Sequence, residues 1–194
     1  MRFLLLAACL ALSACAAVVV GTATVTALSV HDRRGARVFF DDGRIESAGQ
    51  RRLARDPEIA PTQRRIGVVS YNGIVLLHGE VESPALAAHA ETVVAGIDGV
   101  RQVINALEVA PPADGWRLAR DGAITARVKT GLLDITSLPG FDPTRVNVTT
   151  SKGVVYLQGL LSQEEAEAVV EVARWTRGVE RVVTIFEYLD PPGE

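Results

Sequence analysis

The chain has 194 residues, a formal net charge of −3, and 48% hydrophobic residues against 5% aromatic, so any core must be largely aliphatic. That length accommodates one large domain or two small ones. The negative balance leaves no excess of positive charge to hold nucleic-acid phosphates, and an anionic partner must therefore be met by a local cluster.

In chain order, Arg2 is followed by an uncharged run over residues 3–30 that is long enough on paper to span a bilayer. A second reading competes with an uncleaved anchor. Leu12-Ser13-Ala14-Cys15 has the layout of a lipobox, in which small residues after a short apolar segment admit a signal peptidase just before a cysteine that carries diacylglycerol. Residues 16–28 are rich in Gly, Thr and β-branched residues and poor in Leu and Phe, which favours the lipobox. On that reading residues 1–14 are a lipoprotein signal peptide, Cys9 leaves with it, and Cys15 is acylated, so no disulfide can form in what remains. No other cofactor is expected beyond the diacylglycerol and fatty acyl chain on Cys15. The residue after the cysteine is Ala16 rather than aspartate, which in bacteria with the usual sorting route implies transport to the outer membrane.

Residues 15–40 read as a tether whose end, HDRRGARVFF, mixes basic and aromatic side chains. Asp41-Asp42 then offers a helix N-cap, and Ile45, Gly49 and Leu53 mark a helix-spaced stripe. A proline-marked loop over 56–61 ends it. The stretch 68–81, VVSYNGIVLLHGEV, reads as a β-hairpin, because Asn72-Gly73 tolerates positive φ at both centres of a two-residue turn. Ser83-Pro84 opens a second helix with a capping residue and a proline at its first position. Leu86, Ala90, Val93, Val94 and Ile97 supply its apolar face, and residues 100–109 a third strand. The first unit thus runs over 41–110 as helix, strand, strand, helix, strand, with an antiparallel hairpin and a parallel crossover pair.

Pro111-Pro112 within 111–113 is a linker. The second unit, 114–190, repeats the first. Residues 148–161, VTTSKGVVYLQGLL, echo the hairpin about eighty residues later, and Asp42-Gly43-Arg44-Ile45 pairs with Asp121-Gly122-Ala123-Ile124. Either Asp114 or Asp121 starts the next helix, whose core stripe is Ile124, Val128 and Leu132. Ser151-Lys152-Gly153 suggests a slightly longer hairpin loop than its counterpart. Ser162 and Glu165 form a capping box, and Ala166, Val169, Val170 and Ala173 the buried face behind it. Trp175 falls about half a turn out of phase with that face at roughly 100° per residue, and so points outward. Residues 179–189 close the sheet, and 191–194 are a tail. The fold class is α+β: two tandem αββαβ units, each a small three-stranded mixed sheet packed with two helices. Units of this size bury little core, so packing of one on the other is expected.

Catalysis has little support. His31, His78 and His89 fall on a tether, a strand near a turn and a helix surface, with neither metal-ligand spacing nor a nucleophile–base pair. The residues the units share are mostly apolar or glycine, so a scaffold was duplicated. Asn147-Val148-Thr149 matches a glycosylation sequon, which a bacterial lipobox makes irrelevant. Gly79 and Gly159 serve backbone geometry at strand ends. One local cationic cluster stands out in residues 116–129, where Arg117, Arg120, Arg127 and Lys129 oppose Asp121 alone, beside Trp116. Cations near an anionic bilayer contribute about 1 kcal/mol each, and an interfacial tryptophan adds an apolar anchor. If the helix begins near Asp114, then Trp116, Arg120, Ala123 and Arg127 share one stripe. An alternative function is a periplasmic chaperone or adaptor, using Trp175 and the apolar 182–189 strand as surface for protein clients.

On the lipobox, the two αββαβ units, Gly73, Gly79, Gly153 and Gly159, and the closing motifs Asp98-Gly99-Val100 and Arg177-Gly178-Val179, the chain resembles the BON-domain family nearly end to end. The resemblance implies a lipid-anchored outer-membrane protein facing the periplasm, without enzymatic activity. It also implies binding of anionic phospholipid through the second unit, support of envelope integrity, and gathering at division sites with envelope proteins. A family member presents a tryptophan near the start of the corresponding helix, where this chain has Ala123; Trp116 lies seven residues earlier. The implied lipid-contacting set here is Trp116, Arg117, Arg120, Ala123, Arg127 and Lys129, with Trp175 a further surface anchor.

Overall fold

The computed structural model describes residues 35–60 and 66–189. The lipobox, Cys15, residues 15–34 of the expected tether, Pro61 and the 191–194 tail lie outside them. The described chain folds as two units in one order. The first comprises α1 (Gly35–Arg55), β1 (Ile66–Tyr71), β2 (Ile74–Val81), α2 (Pro84–Ala95) and β3 (Gln102–Val109). The second comprises α3 (Gly115–Leu133), β4 (Val146–Ser151), β5 (Val154–Leu161), α4 (Gln163–Trp175) and β6 (Arg181–Tyr188), with a 3-10 turn at Pro143–Arg145 before β4. Each sheet has its second strand in the middle, antiparallel to the first and parallel to the third. The glycines of the echo hold the same register, Gly79 opposite Ile66 and Gly159 opposite Val146.

Helix starts follow the local chemistry. Ser83 Oγ accepts the Leu86 amide ahead of Pro84, and Ser162 with Glu165 closes the capping box in both directions. Such caps stabilise a helix by about 1 kcal/mol each. Two expectations fail. Helix α1 begins at Gly35, so residues 35–40 of the expected tether are helical and Asp41-Asp42 caps nothing. Asp42 lies inside α1, 4% exposed, and its carboxylate accepts the Asn72 amide at 2.8 Å, the Gly73 amide at 2.9 Å and the Ser70 hydroxyl at 2.6 Å. A buried carboxylate must be satisfied in this way, and here the donors are the exposed ends of a tight turn.

The second failure is the 151–153 loop. Ser151 pairs with Val154, so the turn is Lys152-Gly153 and has the same length as Asn72-Gly73. Asn72 and Lys152 both sit at φ 51°. For a lysine the left-handed conformation costs roughly 1–2 kcal/mol. Asp121, the counterpart of Asp42, offsets the cost by accepting the Lys152 amide at 2.8 Å and the Gly153 amide at 2.9 Å. Strands β3 and β6 also begin two residues later than expected, after turns in which Arg101 and Glu180 donate their amides to the Gly73 and Gly153 carbonyls.

Alternation along the central strands divides the interior into three cores. Val75, Leu77 and Val81 of β2 meet Ile45, Leu53, Ala90 and Val94, while Val155, Leu157 and Leu161 of β5 meet Ile124, Val128, Leu132 and Val169. The opposite faces of the two sheets pack on each other through Leu76, Val154 and Tyr156, with Val69, Ile104, Ala106, Val183 and Ile185 around them. The result is four layers, helices outside and sheets inside. Burial in this seam raises the Tyr156 phenol above its ordinary pKa. Much of the apolar 182–189 strand is consequently covered, with Val182 and Phe186 packed on the helical core and Val183 and Ile185 on the other sheet, while Tyr188 and Leu189 at its end stay exposed.

The rim of the seam obeys an approximate twofold relation. Each hairpin turn reaches the third strand of the other unit, with Asn72 Nδ2 donating to Glu187 at 2.6 Å and Lys152 Nζ to Glu108 at 2.7 Å. Arg101 joins the first pair through Glu187 at 2.9 Å. Gln158 donates to the Ile74 carbonyl at 3.1 Å, and the Tyr71 hydroxyl donates to the Arg145 carbonyl at 3.1 Å while accepting the Leu160 amide at 3.2 Å. The proline linker lies along the same seam, where the Ala113 amide meets Glu80 at 3.3 Å.

Candidate functional site

Asp114, not Asp121, caps α3, with its carboxylate accepting the Arg117 amide at 2.8 Å. That start fixes the phase of the helix. Asp121, Ile124, Val128 and Leu132 face inward, and Trp116, Arg120, Ala123 and Arg127 fall on one stripe along the flank toward α4. Trp116 is 80% exposed in the first turn of α3. Neither its indole nor the Arg117 side chain has a polar partner among the described residues.

The two arginines on the stripe are held by the α4–β6 loop. Arg120 Nη2 meets Glu180 at 3.0 Å, and Arg127 Nη1 donates to the Arg177 carbonyl at 2.8 Å. Both side chains remain solvent-facing with their positions fixed, the Arg120 charge matched by Glu180 and the Arg127 charge held by a neutral carbonyl. Partners fifty and sixty residues away leave no trace in local spacing.

Lys129 does not share this stripe. It lines a cleft of about 560 Å³ on the other flank of α3, with Phe39, Asp42, Glu46, Tyr71 and Leu133 among the walls. Trp175, 76% exposed, ends α4 with its indole N–H donated to Glu171.

The seam holds one titratable group that the sequence placed only as a strand residue near a turn. His78 stacks over Gly67, where a Cβ would stand 2.1 Å from its Nε2. It lines a second cleft of about 420 Å³ with Glu80 and Asp121. Burial pulls the His78 imidazole below its ordinary pKa, with the Asp121 carboxylate opposing the shift. His89 is a half-exposed helix residue whose Nε2 lies 2.9 Å from Asp56. Desolvation raises the Asp56 pKa, but the His89 contact and the Glu58 and Ile59 amides outweigh it and bring it below the usual value. Among the described residues, no three His, Cys, Asp or Glu side chains gather as metal ligands, and no helix is long and apolar enough to cross a membrane.

The duplicated hairpin-and-helix plan identifies the class. The BON domain family matches residues 41–111 and again 120–189, and the chain belongs to that family as a tandem of two BON domains. It is 32% identical over 187 residues, 96% of its own length and 95% of the relative's, to the outer membrane lipoprotein DolP of Haemophilus influenzae. It is also 33% identical, over 81% of its length and 79% of the relative's, to a 21 kDa hemolysin of Actinobacillus pleuropneumoniae. A third relative, the osmotically inducible protein Y of Escherichia coli K12, is 33% identical over 74% of this chain and 71% of its own.

Proposed function

We propose that this chain is an outer-membrane lipoprotein, acylated at Cys15, whose second unit meets anionic phospholipid through the flank of α3 and thereby supports envelope integrity, including at division sites. The observation that carries the reading is Trp116, an exposed aromatic in the first turn of α3 with Arg117 beside it and Arg120 and Arg127 along the same helix. An indole at an interface buries its ring among acyl chains and keeps its N–H wet, while arginines bind phosphate in a planar fork. The first unit supports the reading by contrast. At the matching positions of α1 it carries Arg37, Asp41 and Ala48 in place of Trp116, Arg120 and Arg127, and Asp41 is engaged by Arg37 and Arg44. Identity with DolP along nearly the whole chain supports the anchor and the compartment.

The test is vesicle binding by the full chain. Trp116→Ala combined with Arg117→Gln touches no internal contact, and should remove most binding to phosphatidylglycerol-containing vesicles while the thermal midpoint holds. Raising salt should weaken the wild type, since exposed charges are screened over about 8 Å at physiological ionic strength. Undiminished binding by the double variant would sink the α3 assignment. Metabolic labelling with a fatty-acid analogue tests the anchor separately, because Cys15→Ala should abolish the label.

A further inference from the structure

We propose that the corner where α4 turns into β6, built from Arg174, Trp175 and Arg177, is a second anchor of the same lipid-facing surface, so that the second unit meets an anionic bilayer at two points. The inference rests on the α3 reading above and adds a part of the surface that lies on another element. Three observations carry it.

The first is placement. The α4–β6 loop lies along the flank of α3, held by the Arg120–Glu180 pair at 3.0 Å and by Arg127 donating to the Arg177 carbonyl at 2.8 Å. Gly178 permits this closeness, since a Cβ there would stand 3.2 Å from Ile124. Trp175 leaves α4 on the side opposite Ala166, Val169 and Ala173, which face the core. It therefore points off the same helical layer as Trp116. Eleven residues separate Trp116 from Arg127, or roughly 16 Å of helix at 1.5 Å per residue. The two indoles accordingly stand at opposite ends of one cationic strip.

The second is the contrast with the first unit. Both tryptophans of the chain belong to the second unit, and they are 80% and 76% exposed. Where the second unit has Arg174, Trp175 and Arg177, the first has Ala95, Gly96 and Asp98. Asp98 faces Arg44 at 3.8 Å in the first unit. Its counterpart Arg177 makes no side-chain pair among the described residues. The scaffold is common to both units, yet at the α4 end aromatic and positive side chains replace small and negative ones, while at the α3 end Trp116 stands in place of Arg37 and Arg120 in place of Asp41.

The third is charge. Arg117, Arg120, Arg127, Arg174 and Arg177 outnumber the acids among them, Asp114, Glu171 and Glu180, of which Asp114 is turned to the Arg117 amide as the helix cap. Glu180 is matched by Arg120, and Glu171 receives the Trp175 indole N–H and lies 3.5 Å from Arg174. Such a surface is complementary to phosphate headgroups, with an apolar ring at each end. One point of contact would leave the unit free to pivot, whereas two fix its orientation on the bilayer.

The experiment uses the full chain in two single-tryptophan forms, Trp116→Phe and Trp175→Phe. Emission is recorded with vesicles of phosphatidylcholine alone and with phosphatidylglycerol added, each with and without brominated phosphatidylcholine as a quencher within the bilayer. Both Trp116 and Trp175 should shift to the blue and be quenched only when phosphatidylglycerol is present, and Arg177→Gln should reduce the response of Trp175 more than that of Trp116. A response from Trp116 with Trp175 silent would overturn this inference and leave the α3 reading standing. Silence from both would overturn both. A Trp175 response equal in phosphatidylcholine alone would also overturn the inference, because the corner would then be a hydrophobic patch indifferent to headgroup charge.

Discussion

The two units are one structure written twice, and comparing them shows where this chain was free to change. Inward positions agree almost one for one: Ile45 with Ile124, Leu53 with Leu132, Asp42 with Asp121, and Gly73 with Gly153. Outward positions on the helical layer disagree in charge and size, with Arg37 replaced by Trp116, Asp41 by Arg120, Gly96 by Trp175 and Asp98 by Arg177. Packing constrains the first group, because a lost methylene or an unsatisfied buried carboxylate costs stability wherever it occurs. Solvent imposes no such demand on the second. Divergence between copies of a scaffold therefore marks the surface on which they differ in task.

The largest expected effect tests whether the two units behave as one body. Leu76 is fully buried in the sheet-to-sheet seam. Leu76→Ala should cost about 2–5 kcal/mol, read by calorimetry as a single transition at lower temperature. Two separated transitions already in the wild type would break the picture of one cooperative body.

Next come the turn-holding carboxylates. Asp42→Asn and Asp121→Asn each turn an amide group toward backbone donors that need an acceptor, and each should cost about 2 kcal/mol in urea unfolding. The loss should be somewhat larger at Asp42, which also holds the Ser70 hydroxyl. A negligible loss at either site would show that the turn is held by its glycine alone.

A smaller effect separates His78 from its counterpart Gln158. Because burial keeps the folded imidazole below its ordinary value, the unfolded chain binds the proton more readily. The stability conferred by the neutral ring is complete above about pH 6.5 and drains as pH falls through that value. Asp121, which shares the cleft with His78, opposes the loss without removing it. Replacing His78 with glutamine should narrow the difference between thermal midpoints at about pH 7.5 and about pH 5.5. An unchanged difference would assign it to other groups. Asp56 falls in another window, since its lowered pKa gives stability that is lost only as pH drops below about 3.8.

The smallest effect is on folding by the surface itself. Trp116→Ala and Trp175→Ala, both at exposed sites, should each leave stability within about 0.5 kcal/mol. A larger change in the chemical denaturation midpoint would mean that these rings serve packing, and the contrast between the units would lose its functional meaning.

Much of the fold was legible in the chain, because repetition and periodicity are properties of a sequence. The echo of 68–81 in 148–161 defined two units, and Asn72-Gly73, Ser83-Pro84 and the Ser162–Glu165 box carried their own local chemistry. The stripes Ile45–Gly49–Leu53 and Ile124–Val128–Leu132 named both helical cores before any coordinates. Trp175 could be placed outward from helical phase alone, whereas the phase of Trp116 depended on whether Asp114 or Asp121 began its helix, which the structure decides for Asp114.

What the chain could not reveal depends on partners far along it. The role of Asp42 and Asp121 was half visible, since they were among the few polar residues common to both units, but a carboxylate before a helical stripe looks like a cap until a turn thirty residues away arrives at its oxygens. Lys152 could be assigned to a two-residue turn only once Asp121 was seen to hold that turn. Likewise, the 182–189 strand looked like free apolar surface because nothing local says that a second sheet will cover it. The tertiary structure alone set Lys129 in a cleft apart from Arg127, tied Arg120 and Arg127 to the α4–β6 loop, and put His78 beside Asp121. Sequence periodicity reports the direction in which a side chain leaves its own element. Which surface it then meets is decided by the packing of elements whose separation in the chain bears no relation to their distance in space.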